Sequence, residues 1–276
     1  MQHVSDTALL VAAARASENK RADGLVRDPY AARLAGERGI AIARSGTPSR
    51  WRSFGIGLRS RFIDEFLTAE IDDGRIDCVL CLGAGLDARP WRLKFRKPVR
   101  WIEVDFEPIL DYKYGILRDV VPQCPLERMT ADLNDRADRQ RVLAAALDHG
   151  RRVLLLTEGL LFYLPADTVR SLAVEAKSCD RWTMDIAPQT AALLAYGGDS
   201  MRQANELRHE TRLEGAEILA AVKANGWAVV ASKTFAKEGP PFAAERMKLN
   251  GWTPDPDEPR LAPDDLSGVW LFRRSE

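Results

Sequence analysis

Six residues have the types and spacing to do chemistry together: Gly83, Gly85, Asp87, Asp105, Asp132 and Glu158. The apolar run Cys-Val-Leu-Cys-Leu at 78–82 breaks at Gly83-Ala84-Gly85, and Asp87 follows. A second apolar run ends in Glu103-Val104-Asp105. A strand, a tight glycine turn and an acidic strand end about 20 residues later form the core of a βαβ unit that holds an adenosine-bearing ligand. Asp132, with Leu133 beside it, and Glu158 follow two further candidate strands. Open parallel sheets bind ligands outside the carboxyl ends of their strands, so these six residues should converge. Four of them are acidic.

That charge discriminates between ligands. A pyrophosphate beside Asp87 would be repelled at close range, more so where the local dielectric is low. Pro90 also weakens the case for a long phosphate-binding helix after the glycines. S-adenosylmethionine carries adenosine without phosphate, and its ammonium and sulfonium make it net positive. Acidic strand ends suit its ribose hydroxyls, adenine amine and ammonium. The competing fingerprint is Gly83-x-Gly85-x-x-Ala88 with Glu103 or Asp105 as ribose acid, which fits an NAD-dependent oxidoreductase. Asp87 and the lack of a recognisable Tyr-x-x-x-Lys pair argue against it. A non-catalytic cofactor-binding protein is a third reading.

The elements that position these residues alternate from residue 77 onward, the pattern of a parallel sheet with helical crossovers. Strands are expected at 77–82, 99–104, 126–130, 152–157, 182–186, 227–235 and 268–273. Helices are expected at 106–118, 136–148, 166–178 and 211–225. The fold class is α/β, a Rossmann-like seven-stranded, mostly parallel sheet with helices on both faces. Residues 1–75 read as a helical cover without strands, with helices over 5–20, from the Asp28-Pro29-Tyr30 loop through Arg38, and over 58–72. Ser5 and Asp6 read as an N-cap of the first. Residues 76–276 form the cofactor-binding core, with an insertion near 188–210. The Pro-rich stretch 239–263 reads as irregular.

At 276 residues the chain can bury a substantial core, and 46% hydrophobic with 29% charged content is globular. Lys+Arg and Asp+Glu both number 40, so no net field favours nucleic acid or an anionic membrane. The apolar run at 8–14 is too short to span a bilayer and lacks a basic leader. Four cysteines do not make a secreted disulfide framework, which points to the cytoplasm. Cys78 and Cys81, three apart in a strand, point to opposite faces and read as buried thiols; no metal site is expected. His3, His149 and His209 are scattered, and only His209 falls where an acceptor could sit.

The chain resembles the leucine carboxyl methyltransferase family, including its bacterial small-molecule O-methyltransferases of secondary metabolism. The matching residues are Asp6-Thr7-Ala8, Arg15-Ala16, Glu18, Asp28-Pro29-Tyr30-Ala31 and Arg61. They continue through Leu82-Gly83-Ala84-Gly85-Leu86-Asp87-Ala88-Arg89, Glu103-Val104-Asp105, Asp132-Leu133 and Glu158-Gly159-Leu160-Leu161-Phe162-Tyr163-Leu164. The resemblance runs to about residue 175. It implies S-adenosylmethionine as donor, with Arg61 clamping its carboxylate and Gly83 approaching the methionine part. It further implies Asp105 on the ribose, Asp132 and Leu133 on adenine, and Glu158 on the ammonium. Arg15 or Arg27 would supply a second basic residue. Tyr163, with Phe162, is a candidate for the acceptor pocket, although core packing suits an aromatic pair equally. The acceptor implied is a carboxylate or hydroxyl of a small molecule, such as a polyketide-like phenol or an acid; the sequence assigns no catalytic base.

Overall fold

A computed structural model describes residues 2–45, 51, 53–148, 152–187, 211–255 and 260–275. Two runs of Leu, Val and Cys too apolar to face water make the centre of the sheet: β1 (Cys78–Leu82) and β4 (Val153–Thr157), both buried along their whole length. Strands covered on both faces read as continuous apolar runs, as these do. Around them lie β2 (Arg100–Asp105), β3 (Leu126–Thr130), β5 (Arg181–Ile186), β6 (Trp227–Thr234) and β7 (Gly268–Arg274). The seven strands run in the order β3-β2-β1-β4-β5-β7-β6. β7 alone runs against the direction of the other six. The order reverses between β1 and β4, which places the topological switch at the glycine turn.

Helices cover both faces. Leu58, Phe62, Ile63, Phe66, Leu67 and Ile71 of α3 (Phe54–Asp72) pack on Val79, Cys81, Leu154 and Leu156. Each such side chain contributes about 1.5–3 kcal/mol on burial. The opposite face, which carries Cys78, Leu80 and Leu82, meets α6 (Arg136–Leu147), α7 (Ala166–Glu175) and α8 (Gly215–Ala224). The two cysteines of β1 therefore face opposite layers, and all four cysteines are buried thiols outside any disulfide. α1 (Gln2–Lys20) and α2 (Ala31–Ser45) lean on α4 (Arg89–Arg92) and α5 (Glu107–Leu117) through Leu9, Leu34, Leu86, Trp91 and Ile109.

Two expectations need correction. α1 begins at Gln2, so Ser5 and Asp6 lie inside it; Asp6 instead pairs with Arg38 of α2. Residues 235–250, expected to be partly irregular, form α9 (Phe235–Asn250) despite Pro240 and Pro241. These prolines fall just past the first turn, so only a couple of backbone bonds are lost. Packing offsets that loss: Phe235 and Phe242 lie against Phe62, and the buried Arg246 chelates Glu18 of α1 at 2.8 and 2.7 Å. The insertion expected at 188–210, with His209, and the loop at 46–49 lie outside the described residues, as do His149 and the side chain of His3.

Candidate active site

Strand register assembles the site. Leu82 is level with Val104 of β2 and Thr157 of β4, and Thr157 with Met184 of β5. One residue further on, Asp105, Gly83, Glu158 and Asp185 stand in a row across four adjacent strands. Gly83, at φ +67°, turns the chain where a Cβ would press to 3.0 Å on Leu160. Gly85, at φ +45°, donates its N–H to Asp105 Oδ2 at 2.7 Å, and Phe106 N–H donates to Oδ1 at 2.7 Å. The Asp105 carboxylate is thereby aimed by two backbone donors. Burial nevertheless pushes its carboxyl above the usual range, with the Gly85 and Phe106 N–H groups opposing.

Arg89 is the hub of the acidic groups. Its guanidinium reaches Asp64 at 2.6 Å, Asp87 at 2.9 Å and Glu158 at 2.5 Å, and it is 1% exposed. Arg92 adds two bonds to Asp64 at 2.7 and 2.9 Å. From α3, Arg59 lies 2.9 Å from Glu158 and 3.1 Å from Asp185. Asp185 also accepts the Gly159 N–H at 2.6 Å, fixing the backbone directly after Glu158. Burial alone would raise Glu158, but Arg89 and Arg59 more than offset it and hold the carboxyl at about 2. Burial would likewise raise Asp87, and Arg89 holds it below the usual range. Asp185 is raised, because burial and the neighbouring Glu158 outweigh Arg59.

One contact in this network is incomplete. Arg59 Nε and Glu158 Oε1 lie 2.9 Å apart, yet they are misaligned and neither makes a hydrogen bond. A buried donor and a buried acceptor without hydrogen bonds, side by side, cost free energy unless something satisfies them. A ligand bearing both a carboxylate and an ammonium would do so. The charge balance agrees. Arg59, Arg89 and Arg92 face Asp64, Asp87, Glu158 and Asp185, so one negative charge remains, with Asp105 beside it. That suits a ligand of net positive charge.

The remaining candidates are placed as follows. Leu133 is buried, whereas Asp132 is exposed, its carboxylate turned to the Asn134 N–H at 2.9 Å. Tyr163 is half-buried in a short turn (Leu161–Tyr163), its ring 4.6 Å from that of Phe162. Arg61 does not join the cluster: it pairs with Glu65 and lies over Phe242 at 4.7 Å. The helical period explains this. Arg59 shares a stripe with Phe62, Ile63 and Phe66, three, four and seven residues on, and Arg61 falls off that stripe. Arg27 caps carbonyls of 19, 21 and 22, and Arg15 is spent on Asp28 and the Leu86 carbonyl. Glu103 is fully buried under the turn, so Asp105 is the one acid of β2 at the strand's end. Sequence reasoning passed over Arg59, Asp64, Asp185 and the buried role of Arg89. Among the described residues no cluster of metal-ligating side chains occurs, and no helix is long and apolar enough to cross a membrane.

Comparison with known proteins agrees with this geometry. The sequence model for leucine carboxyl methyltransferase matches residues 8–176, which hold the whole row except Asp185. The chain belongs to the leucine carboxyl methyltransferase family. A protein of Streptomyces coelicolor, provisionally named an S-adenosyl-L-methionine-dependent methyltransferase, is 32% identical over 265 residues, 90% of this chain and 80% of its own length. A Frankia alni protein with the same provisional name is 36% identical over 60% of this chain and 61% of its own. Among solved structures, a DUF574-family protein of Streptomyces avermitilis superposes with a TM-score of 0.56 at 16% identity, covering 86% of this chain and 89% of its own. A Thermobifida fusca protein described as a provisional methyltransferase gives 0.55 at 18%, covering 90% and 93%. Family and fold are those of S-adenosylmethionine-dependent methyltransferases of the Rossmann-like class.

Proposed function

We propose that this protein transfers a methyl group from S-adenosylmethionine to an oxygen, carboxylate or hydroxyl, of a small molecule. The observation that carries the proposal is the misaligned Arg59–Glu158 pair beside Asp105. It offers a donor for a carboxylate and an acceptor for an ammonium, both without a hydrogen bond, as an amino-acid end requires. Asp105 would take the ribose hydroxyls, Leu133 an apolar face of adenine, and Asp132 its amine. Arg59, in place of Arg61, would hold the carboxylate. Gly83 and Gly85 would let the backbone approach.

When bound, the sulfonium supplies an already activated methyl group for in-line displacement. The protein's share is orientation and the exclusion of water. A carboxylate acceptor is ionised near neutral pH and needs no base, whereas a hydroxyl is helped by one. The family's name describes carboxyl methylation, which supports oxygen as the acceptor atom. A dinucleotide fits poorly, because Asp87 and Glu158 flank the turn and α4 has only four residues to offer a pyrophosphate.

Calorimetry of the purified chain should show S-adenosylhomocysteine binding and no comparable NAD binding. A radiolabelled transfer screen over phenols, carboxylic acids and peptides should then label an oxygen acceptor. NAD binding without a response to S-adenosylhomocysteine sinks the donor assignment, and labelling of amines alone sinks the oxygen assignment.

A further inference from the structure

Lysine is almost never fully buried unless it is paired, yet Lys113 is 0% exposed. It lies on the core stripe of α5 with Ile109, Leu110 and Leu117. Its ammonium contacts Glu103 Oε1 at 2.8 Å and the Asp87 main-chain carbonyl at 3.3 Å. Glu103, equally buried, also accepts from Tyr114 at 3.4 Å. From α1, Arg15, anchored by Asp28 at 2.9 Å, donates to the Leu86 carbonyl at 2.7 Å. Two consecutive carbonyls of the glycine turn are thus each held by a buried cation from a different helix. The same turn directs the Gly85 N–H at Asp105.

We propose that Lys113 is a positioning residue for the methyl donor: it fixes the Asp87 peptide, and through it the turn that sets Gly85 against Asp105. Lys113 is too deep to touch any ligand, so it acts only through that peptide. The inference rests on the donor reading above. Holding a turn in its bound shape in advance strengthens binding by reducing the ordering that the ligand must otherwise impose.

The test replaces Lys113→Met together with Glu103→Leu, which removes the pair without leaving a lone buried charge. Thermal unfolding should resemble that of the parent. The dissociation constant for S-adenosylhomocysteine, and the donor KM, should rise about tenfold, the scale of one hydrogen bond from a charged donor. The acceptor KM should stay within twofold. In Glu103→Gln, which keeps Lys113 and its bond to the turn, donor affinity should stay within threefold. An unchanged dissociation constant in the double variant overturns the proposal, as does an equal loss in Glu103→Gln or a parallel rise in both KM values. Binding by the parent chain is measured first, so a failed donor reading shows itself before any variant is made.

Discussion

The donor half of the molecule and its distal half are held together differently. Around the ends of β1, β2 and β4 the fastenings are buried ion pairs: Arg89 with three carboxylates, Lys113 with Glu103, Arg15 with Asp28. At the β6 edge and α9 they are mostly half-exposed cations over rings, Lys233 near Phe62 and Arg61 over Phe242, with Arg246 as the one buried fork. The family match ends at residue 176, before β5 and everything distal to it. Buried pairs tolerate little change, because removing one partner strands the other. Half-exposed contacts contribute modestly and are easily exchanged. The donor side is built to stay fixed and the distal side to vary.

The largest effect that bears on this contrast is expected from Arg89→Met. It strands Asp87, leaves Asp64 to Arg92 and Glu158 to Arg59 alone, and should cost about 3–5 kcal/mol of stability by urea unfolding. Arg61→Met should cost less than about 1 kcal/mol. Equal losses would erase the distinction between the halves.

The next effect is a pH dependence. Burial, only partly offset by Lys113, pushes Glu103 up to about 7. The folded chain then binds this proton more tightly than the unfolded chain, so stability falls as pH rises from 4.5 through 7, by up to about 3 kcal/mol. Glu158 works in the opposite direction: its stabilisation is present above 4.5 and is lost as pH falls towards 2. Urea titrations at pH 5 and 7.5 should show a smaller fall in Glu103→Gln than in the parent; an identical fall would remove Glu103 from the account.

The smallest effect separates two arginines on one helix. Arg59→Lys should weaken S-adenosylhomocysteine binding about tenfold through loss of fork geometry, and Arg61→Lys less than twofold. The reverse result would return the carboxylate clamp to Arg61.

The sheet was legible because its central strands are uninterrupted apolar runs, and Gly83 and Gly85 mark the turn. The acids Asp105 and Glu158 were legible because each follows such a run directly. The buried cations were not: Arg59, Arg89 and Lys113 are residue types that ordinarily face water, and apart from Asp87 beside Arg89 their carboxylate partners lie 10 to 126 positions away. Arg59 and Lys113 did leave a trace, since both sit on an apolar helical stripe. Asp185 left none; it lies inside β5, and only the register shows that it stands level with Glu158. α9 was hidden by its two prolines, whose cost is overridden by tertiary contacts that local pattern does not carry.

The Arg246–Glu18 fork joins positions 228 residues apart. On the ribosome, at about 5–20 residues per second, Glu18 is made roughly ten to fifty seconds before its partner. Until then a carboxylate that ends fully buried has the Leu25 N–H and the Ser53 hydroxyl to satisfy it, but no cation. α1 therefore gains its last fastening late, and a nascent chain stopped short of α9 should hold its first helix less tightly than the finished chain, more open to proteases and chaperones.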